Sequence, residues 1–498
     1  MNTNNSSSSK SGSKSAKMRT MVIKLSRKLS IVFTWRPGGR ISRLLTSLLA
    51  ICAAPALALP TGGQVVSGNV TIQSPSGTSM TVTQSSNKGI VNWNGFSIAP
   101  GEAVNYVQPS ASSVTLNRVL GNDPSAIFGS LSANGQVFLI NPNGVMFAPG
   151  AQVNVGGLVA STLGLSDANF LAGQYTFENG NGAGAIDNQG GLNGKYIALI
   201  APNISNSGSI NTNGGTTALA AGDRVSLDIS GDGLLAVSVD AAATNASIKH
   251  SGSITADGGQ VFISAHSANA LLDTVLNVSG VVRAHSVSEQ NGVIVLDGGN
   301  AGVVSVTGSL DASGTGAGQS GGTVKVLGDK VGLFAGASID VSGDAGGGTA
   351  LIGGNFHGAG PEANASMTYV AQGAAINADA VTSGNGGNVA VWSNDATRYY
   401  GNITARGGAQ GGDGGFVEVS GKQNLAFAGT FDARAPKGKA GSLLLDPTKI
   451  TICDATIGGC ALDIISPDGG TTWNISGGGS MMDWQTLDSN LTGGTVTV

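Results

Sequence analysis

The sequence predicts an all-β fold: a right-handed parallel β-helix, or solenoid, closed at its N-terminal end by a β cap. Three observations carry this. First, glycine supplies 80 of 498 residues and charged residues only 11%, yet 41% are hydrophobic. Disordered chains combine low hydrophobicity with high charge, and no Gly-X-Y period marks collagen. Second, the apolar residues fall in short β-branched runs separated by Gly, Asn, Asp and Pro, the punctuation of strands and tight turns. Third, a glycine followed by a short apolar run recurs at Gly194, Gly215, Gly259, Gly292, Gly322, Gly348, Gly387, Gly415 and Gly441. From Gly259 to Gly441 there are six intervals over 182 residues, about 30 each, a period that belongs to a solenoid or a propeller. Propeller blades need about 40 residues and recurring aromatic signatures, and aromatics are 5% here. Helical repeats need a sustained 3.6-residue period, and none is seen. Coils of three short strands remain, and stacking buries a common core that no single coil could bury alone. Crossovers between parallel strands are right-handed.

Residues 1–58 read as an extended signal peptide. They hold ten Lys and Arg and no Asp or Glu, from Lys10 to Arg43, followed by the apolar Leu44–Ala58. Ala56-Leu57-Ala58 fits an A-x-A cleavage site, so the mature chain is expected to begin at Leu59. Pro55 interrupts the apolar run, which is shorter than the roughly 20 residues a membrane span needs, so no stable span is expected in the mature chain. The remaining chain carries 15 basic against 29 acidic residues. That balance argues against nucleic acid, because phosphate binding needs basic patches.

Residues 59–130 contain the strand-like runs Val65–Ile72, Met80–Thr83, Ile90–Trp93, Val104–Val107 and Val114–Val119. A stacked β structure exposes an apolar face at its first coil and needs a cap, and these runs are expected to include it. In residues 131–160, Val137–Ile140 and Val145–Phe147 flank Asn141-Pro142-Asn143-Gly144. Proline presets φ, and Asn and Gly tolerate positive φ, so this is strand, tight turn, strand. The run TGGTVTV at 492–498 is strand-like with no visible cap; either a longer parent or a short local cap would protect it.

The string ANGQVFLINPNGVMFAPGAQVNVGGLVAST, with IVNWNGFSIAPGEAVNYVQPSASSVTLNRVLGNDPSAIFGSL upstream, resembles the secretion domain of filamentous-haemagglutinin-type exoproteins of two-partner secretion systems. The block from Gly386 to Ile452 also resembles segments of large haemagglutinin-type exoproteins. The resemblance implies a two-partner secretion domain over 59–310, with further β-helix repeats over 311–498. It implies export across the outer membrane of a Gram-negative bacterium by a partner β-barrel transporter, to the medium or the cell surface. It makes Asn141, Pro142, Asn143 and Gly144 the secretion motif, with Asn117-Arg118 matching a recurrent NRV string. The family's other Asn-Pro motif is not cleanly present; Asn122-Asp123-Pro124 stands nearby. An adhesin-like exoprotein is the leading function, with the host-cell or glycan receptor unnamed. The alternatives are the stalk of a contact-dependent toxin, a haem-carrier-binding exoprotein using residues 354–368 as a projecting loop, and a polysaccharide-acting β-helix enzyme.

Residue chemistry points away from an enzyme, and no catalytic residue, metal ligand or cofactor is assigned. His250, His266, His285 and His357 are scattered outside any metal-binding spacing. Gly316–Gly321 matches G-x-G-x-x-G but precedes a strand, whereas a phosphate site requires a helix N-terminus. Asp297, Asp311, Asp340 and Asp344 lie where turns are expected, and turn-forming is the commoner role of such aspartates. Cys453 and Cys460 are the only cysteines after the leader, with six residues between them. Export through an oxidising compartment makes a local disulfide an expectation, with two reduced thiols as the alternative.

Overall fold

The computed structural model describes residues 19–26, 29–35, 59–178, 184–229, 235–269, 274–288, 290–453 and 480–498. It divides into two units, 1–56 and 57–498. In the first, Arg19–Ser26 and Leu29–Trp35 pair antiparallel.

The second unit is a right-handed parallel β-helix. Its strands form three long sheets of 14, 15 and 13 strands among the described residues. Each coil contributes one strand to each face in turn. Ala103–Val107, Val114–Val119 and Ser125–Ile127 make one coil; Ser130–Ala133, Gln136–Ile140 and Val145–Phe147 lie in parallel register on it. Leu131 stacks on Val104 and Leu139 on Asn117. Inward side chains form one core running from Leu59 to Met482, mostly Val, Ile, Leu and Ala. Parallel sheets need both faces covered, and the coil supplies the inner cover by closing on itself.

The N-terminal cap is antiparallel. Gln64–Ser67 pairs with Lys88–Trp93 on the second face, and Val70–Ile72 pairs with Ser79–Gln84 on the first. The run Val65–Ile72 is therefore two strands and not one. Gly68, at φ +82°, breaks it, so each half shields a different sheet edge. At the other end the order is irregular: Ser480–Asp483 is slotted between Asn424–Phe427 and Ile450–Cys453. A helix, Trp484–Leu491, then lies beside Thr430–Asp432, where the next first-face strand would stand. Its Leu487 packs on the core, and Asn490 Nδ2 donates to the Gly429 carbonyl at 3.2 Å.

From Gly215 to Gly441 the recurrent glycines sit immediately before a second-face strand, with Gly194 one residue further upstream of its own, and close packing explains them. A Cβ on Gly259 would lie 2.0 Å from the Gly215 carbonyl oxygen, on Gly387 2.2 Å from that of Gly348, and on Gly415 2.0 Å from that of Gly387. A second column, unforeseen in the sequence, runs through the corner before the first face. Cβ atoms on Gly208, Gly252, Gly280 and Gly308 would each lie within 2.3 Å of the preceding glycine's carbonyl oxygen.

Among the described residues, two insertions come together outside the coils. The helix Asp167–Ala172 and strand Tyr175–Glu178 leave after Gly157–Ser161, and the hairpin Arg224–Ile229/Leu235–Ala241 leaves after Thr216–Ala221. Tyr175–Glu178 pairs antiparallel with Arg224–Ile229, making a three-stranded sheet outside the solenoid. Between it and the second face lies a second core of Phe138, Ile140, Phe170, Phe177, Tyr196, Val225 and neighbours. Gly157–Ser161, Tyr196–Ile200 and Thr216–Ala221 are consequently buried at every position. Beyond the insertion, Gln260–Ala265 and Val293–Asp297 alternate buried and half-buried.

Candidate functional site

The Asn141–Gly144 turn joins the second and third faces of its coil. Asn141 is wholly buried. Its Oδ1 accepts the Asn143 N–H at 3.0 Å, the local Asx bond that a turn predicts. Its Nδ2 reaches back one coil instead, donating to the Asp123 carbonyl and to Ser125 Oγ, both at 3.0 Å. Asn143 Nδ2 likewise donates to the Gly121 carbonyl at 2.8 Å. The Gly121–Ser125 turn, with Asn122-Asp123-Pro124, is thus the floor on which Asn141–Gly144 is built. The roof is the next coil: Gly184 N–H donates to the Pro142 carbonyl at 3.2 Å, and a Cβ on Gly184 would lie 2.4 Å from the Gly144 nitrogen. Gly144 sits at φ +121°, which favours glycine.

Asn117 and Arg118 make a second assembly on the preceding coil. Val114–Val119 is a central strand of the second face, so Asn117 points into the core and Arg118 outward. Asn117 Oδ1 accepts from Trp93 Nε1 at 3.0 Å and from the Tyr106 hydroxyl at 2.6 Å. Its Nδ2 donates to the carbonyls of Thr115 and Phe138, each at 3.3 Å. Desolvation pushes the Tyr106 hydroxyl far above its ordinary pKa, so it stays a donor. Arg118 pairs with Asp167 at 2.7 Å and donates to the Leu165 carbonyl at 2.7 Å. Lys88 donates to the carbonyls of Phe170 and Leu171 at 2.8 and 2.9 Å, a cation at a helix C-terminus. The helix of the insertion is stapled to the first coils at both ends.

The other sequence candidates take structural places. Asp311 and Asp340 end first-face strands and accept the N–H two residues on, at 3.0 and 2.9 Å; Asp297 does the same after a second-face strand, at 2.9 Å. Asp344 instead links coils through Gly318 N–H and Thr382. His266 Nε2 meets Asp297 at 2.9 Å, and Ser264 Oγ approaches that same nitrogen at 3.3 Å. A serine–imidazole–carboxylate relay needs both ring nitrogens, so this is no nucleophile triad. His285 Nε2 meets Asp311 at 2.7 Å, and Arg283 forks onto Asp257. His250 is buried in a column that sequence reasoning missed: Asn188 donates to Asn206 at 2.7 Å, and Asn206 Nδ2 meets His250 Nδ1 at 3.0 Å. Desolvation holds the His250 pKa low. Among the described residues no three His, Cys, Asp or Glu side chains gather as a metal would require, and no helix is long and apolar enough to cross a membrane.

Residues 354–368 do not project. They fold back over the second face, where Asn388–Ser393 and Phe416–Gly421 are buried beyond their first residue. Ala56, Ala58 and Cys460 lie outside the described residues. Leu59 is already packed in the core, and Cys453 takes part in a disulfide; its pairing with Cys460 is a proposal.

Comparison with known proteins agrees with the fold. The TPS secretion domain family matches residues 56–312. The crystal structure of the HMW1 secretion domain from Haemophilus influenzae superposes with a TM-score of 0.67 at 32% identity, covering 78% of this chain and all of that one. Two heme/hemopexin-binding proteins of Haemophilus influenzae are 31% and 26% identical over 263 and 281 residues. Those stretches are 51% of this chain but only 29% and 30% of the relatives' length.

Proposed function

Because this chain belongs to the TPS secretion domain family, whose two-partner exoproteins cross the outer membrane of Gram-negative bacteria through a partner transporter, we propose that it is an adhesin-like surface or secreted exoprotein. Residues 59–310 are the segment offered to the transporter, and the later coils are the presentation surface. An extended chain can add its strands to the edges of a transporter's periplasmic modules. Folding outside then prevents return, so export needs no nucleotide.

The observation that carries this reading is the cross-coil bonding of Asn141 and Asn143 to Gly121–Ser125. Such a corner cannot close until the preceding coil exists, which suits a chain emerging N-terminus first. The test is expression with and without the partner transporter in a Gram-negative host. Wild-type chain is expected outside the cell only with the transporter, and Asn141→Ala is expected to accumulate in the periplasm. Unchanged export of Asn141→Ala would remove the corner from the mechanism; export without the transporter would remove the route.

A second reading, capture of a haem carrier, is favoured by the names of the two curated relatives. The three-stranded sheet outside the solenoid is a larger insertion than residues 354–368 and is the better surface to test for it.

A further inference from the structure

Residues 353–366 leave the second face after Thr349–Ile352, are braced internally, and are pinned back on that face at Lys325, Trp392, Phe416 and Glu418. Glu362 accepts from Lys325 Nζ and Asn355 Nδ2, each at 2.7 Å. Phe356 packs on Phe416 with ring centroids 5.5 Å apart. Asn364 Nδ2 donates to the Gly358 carbonyl at 2.8 Å. The buried carboxylate of Glu418 accepts the His357 N–H on both oxygens, at 3.0 and 3.2 Å. Gly358 presses on the Trp392 indole, where a Cβ would lie 2.6 Å from the ring. His357 is thereby held at φ +57°, a region that non-glycine residues seldom occupy and that recurs at ligand sites.

Between this loop and the second-to-third-face corners of three successive coils lies a cavity of about 320 Å³. The loop contributes His357 and Asn364, and the coils contribute Trp392, then Lys422, then Asp446 and Thr448. Donors and acceptors are mixed: an ammonium, a hydroxyl, an imidazole, a carboxylate and an amide. Asn364 Oδ1 is buried and receives no hydrogen bond, while its Nδ2 is committed to Gly358, which fixes the amide's orientation. Thr448 Oγ1 already donates to the Lys422 carbonyl, so the unmet demand is at Asn364 Oδ1. An apolar ligand would leave that acceptor unsatisfied and would strip water from Lys422 and Asp446. Lys422 and Asp446 oppose each other in charge, which disfavours a strongly ionic ligand. The volume is at the small end for ligand sites, roughly 300–1,000 Å³.

We propose that this cavity binds a saccharide of one or two rings, a polyhydroxylated and nearly neutral ligand that matches both its polarity and its size. The proposal deepens the adhesin-like reading by naming a ligand class, and its test does not pass through export.

The purified chain is titrated with glucose, galactose, N-acetylglucosamine, cellobiose, lactose and chitobiose, reading heat and tryptophan fluorescence. At least one sugar is expected to bind saturably. Lys422→Met combined with Asp446→Asn is expected to weaken it about tenfold or more, with melting temperature unchanged because both side chains are exposed. No saturable binding by any of the six, or equal affinity in the double variant, overturns the proposal. An exported chain that binds none leaves the export reading standing; a binding chain that is not exported does the reverse.

Discussion

Asn143 donates its side-chain amide to the carbonyl of Gly121 at 2.8 Å, across 22 residues of sequence and one coil of the solenoid. Asn141 makes the same backward step to Asp123 and Ser125. A turn of this kind is completed by the coil beneath it, so its stability reports whether that coil has formed.

Asn141→Ala should cost about 1–3 kcal/mol, because it leaves Ser125 Oγ and the Asp123 carbonyl without their buried donor. Asn143→Ala, whose side chain is exposed, should cost about 0.5–1 kcal/mol. Urea unfolding of the purified chain measures both, and equal costs would contradict the burial difference.

Asn117→Ala strands two buried donors at once, the Trp93 indole and the Tyr106 hydroxyl. A loss of about 2–4 kcal/mol is expected. In a double-mutant cycle with Tyr106→Phe, the two changes should cost less together than the sum of the singles, by about 0.5 kcal/mol or more. Strict additivity would mean that the pair does not interact.

The glycine columns predict a contrast within one residue type. Gly387→Ala places a methyl 2.2 Å from the Gly348 carbonyl oxygen, whereas at Gly191 the nearest atoms are 3.5 Å away. Gly387→Ala should lower the urea midpoint and speed amide exchange in Thr349–Ile352 and Asn388–Ser393. Gly191→Ala should leave both unchanged within error.

Acid should weaken the fold in two stages. Burial lowers the His250 pKa in the folded chain, so the unfolded chain gains the proton first. The His250 contribution is present above the ordinary histidine pKa of about 6.5 and is lost as pH falls below it. Burial pushes the Asp297 and Asp311 carboxyls up, but hydrogen bonds from His266 and His285 and from backbone N–H groups outweigh it and hold both low. Their contribution is full above the ordinary value of about 3.9 and is lost as pH falls through the folded values. Urea midpoints between pH 8 and 3 should show both stages, and His250→Gln should abolish the upper one alone.

The coil architecture was legible because its period is written in glycine. Gly259, Gly292, Gly322 and their successors are required by a neighbour's carbonyl oxygen, a steric demand that leaves one residue type. The turn at Asn141 was legible for its local bond but not for its backward one, since nothing near residue 141 names residue 123. The outer three-stranded sheet was illegible strand by strand: unbroken apolar runs such as VFLI and YIALI fit strands covered on both sides, but VIVLD is just as unbroken and its outer face is partly open. The Asn188–Asn206–His250 column was illegible because its members are 18 and 44 residues apart.

The glycine columns also decide how the rod bears load. With a carbonyl oxygen seated against each glycine, neighbouring coils have no room to slide, so tension along the chain has to peel one coil at a time from an end. Thr430 lies one coil beyond Asn402, 28 residues on. Each detached coil would release roughly 90–100 Å of extended chain at 3.3–3.6 Å per residue. A solenoid built this way, pulled along its chain, is expected to dissipate the pull in a series of small ruptures, the inner coils holding while the outermost give way.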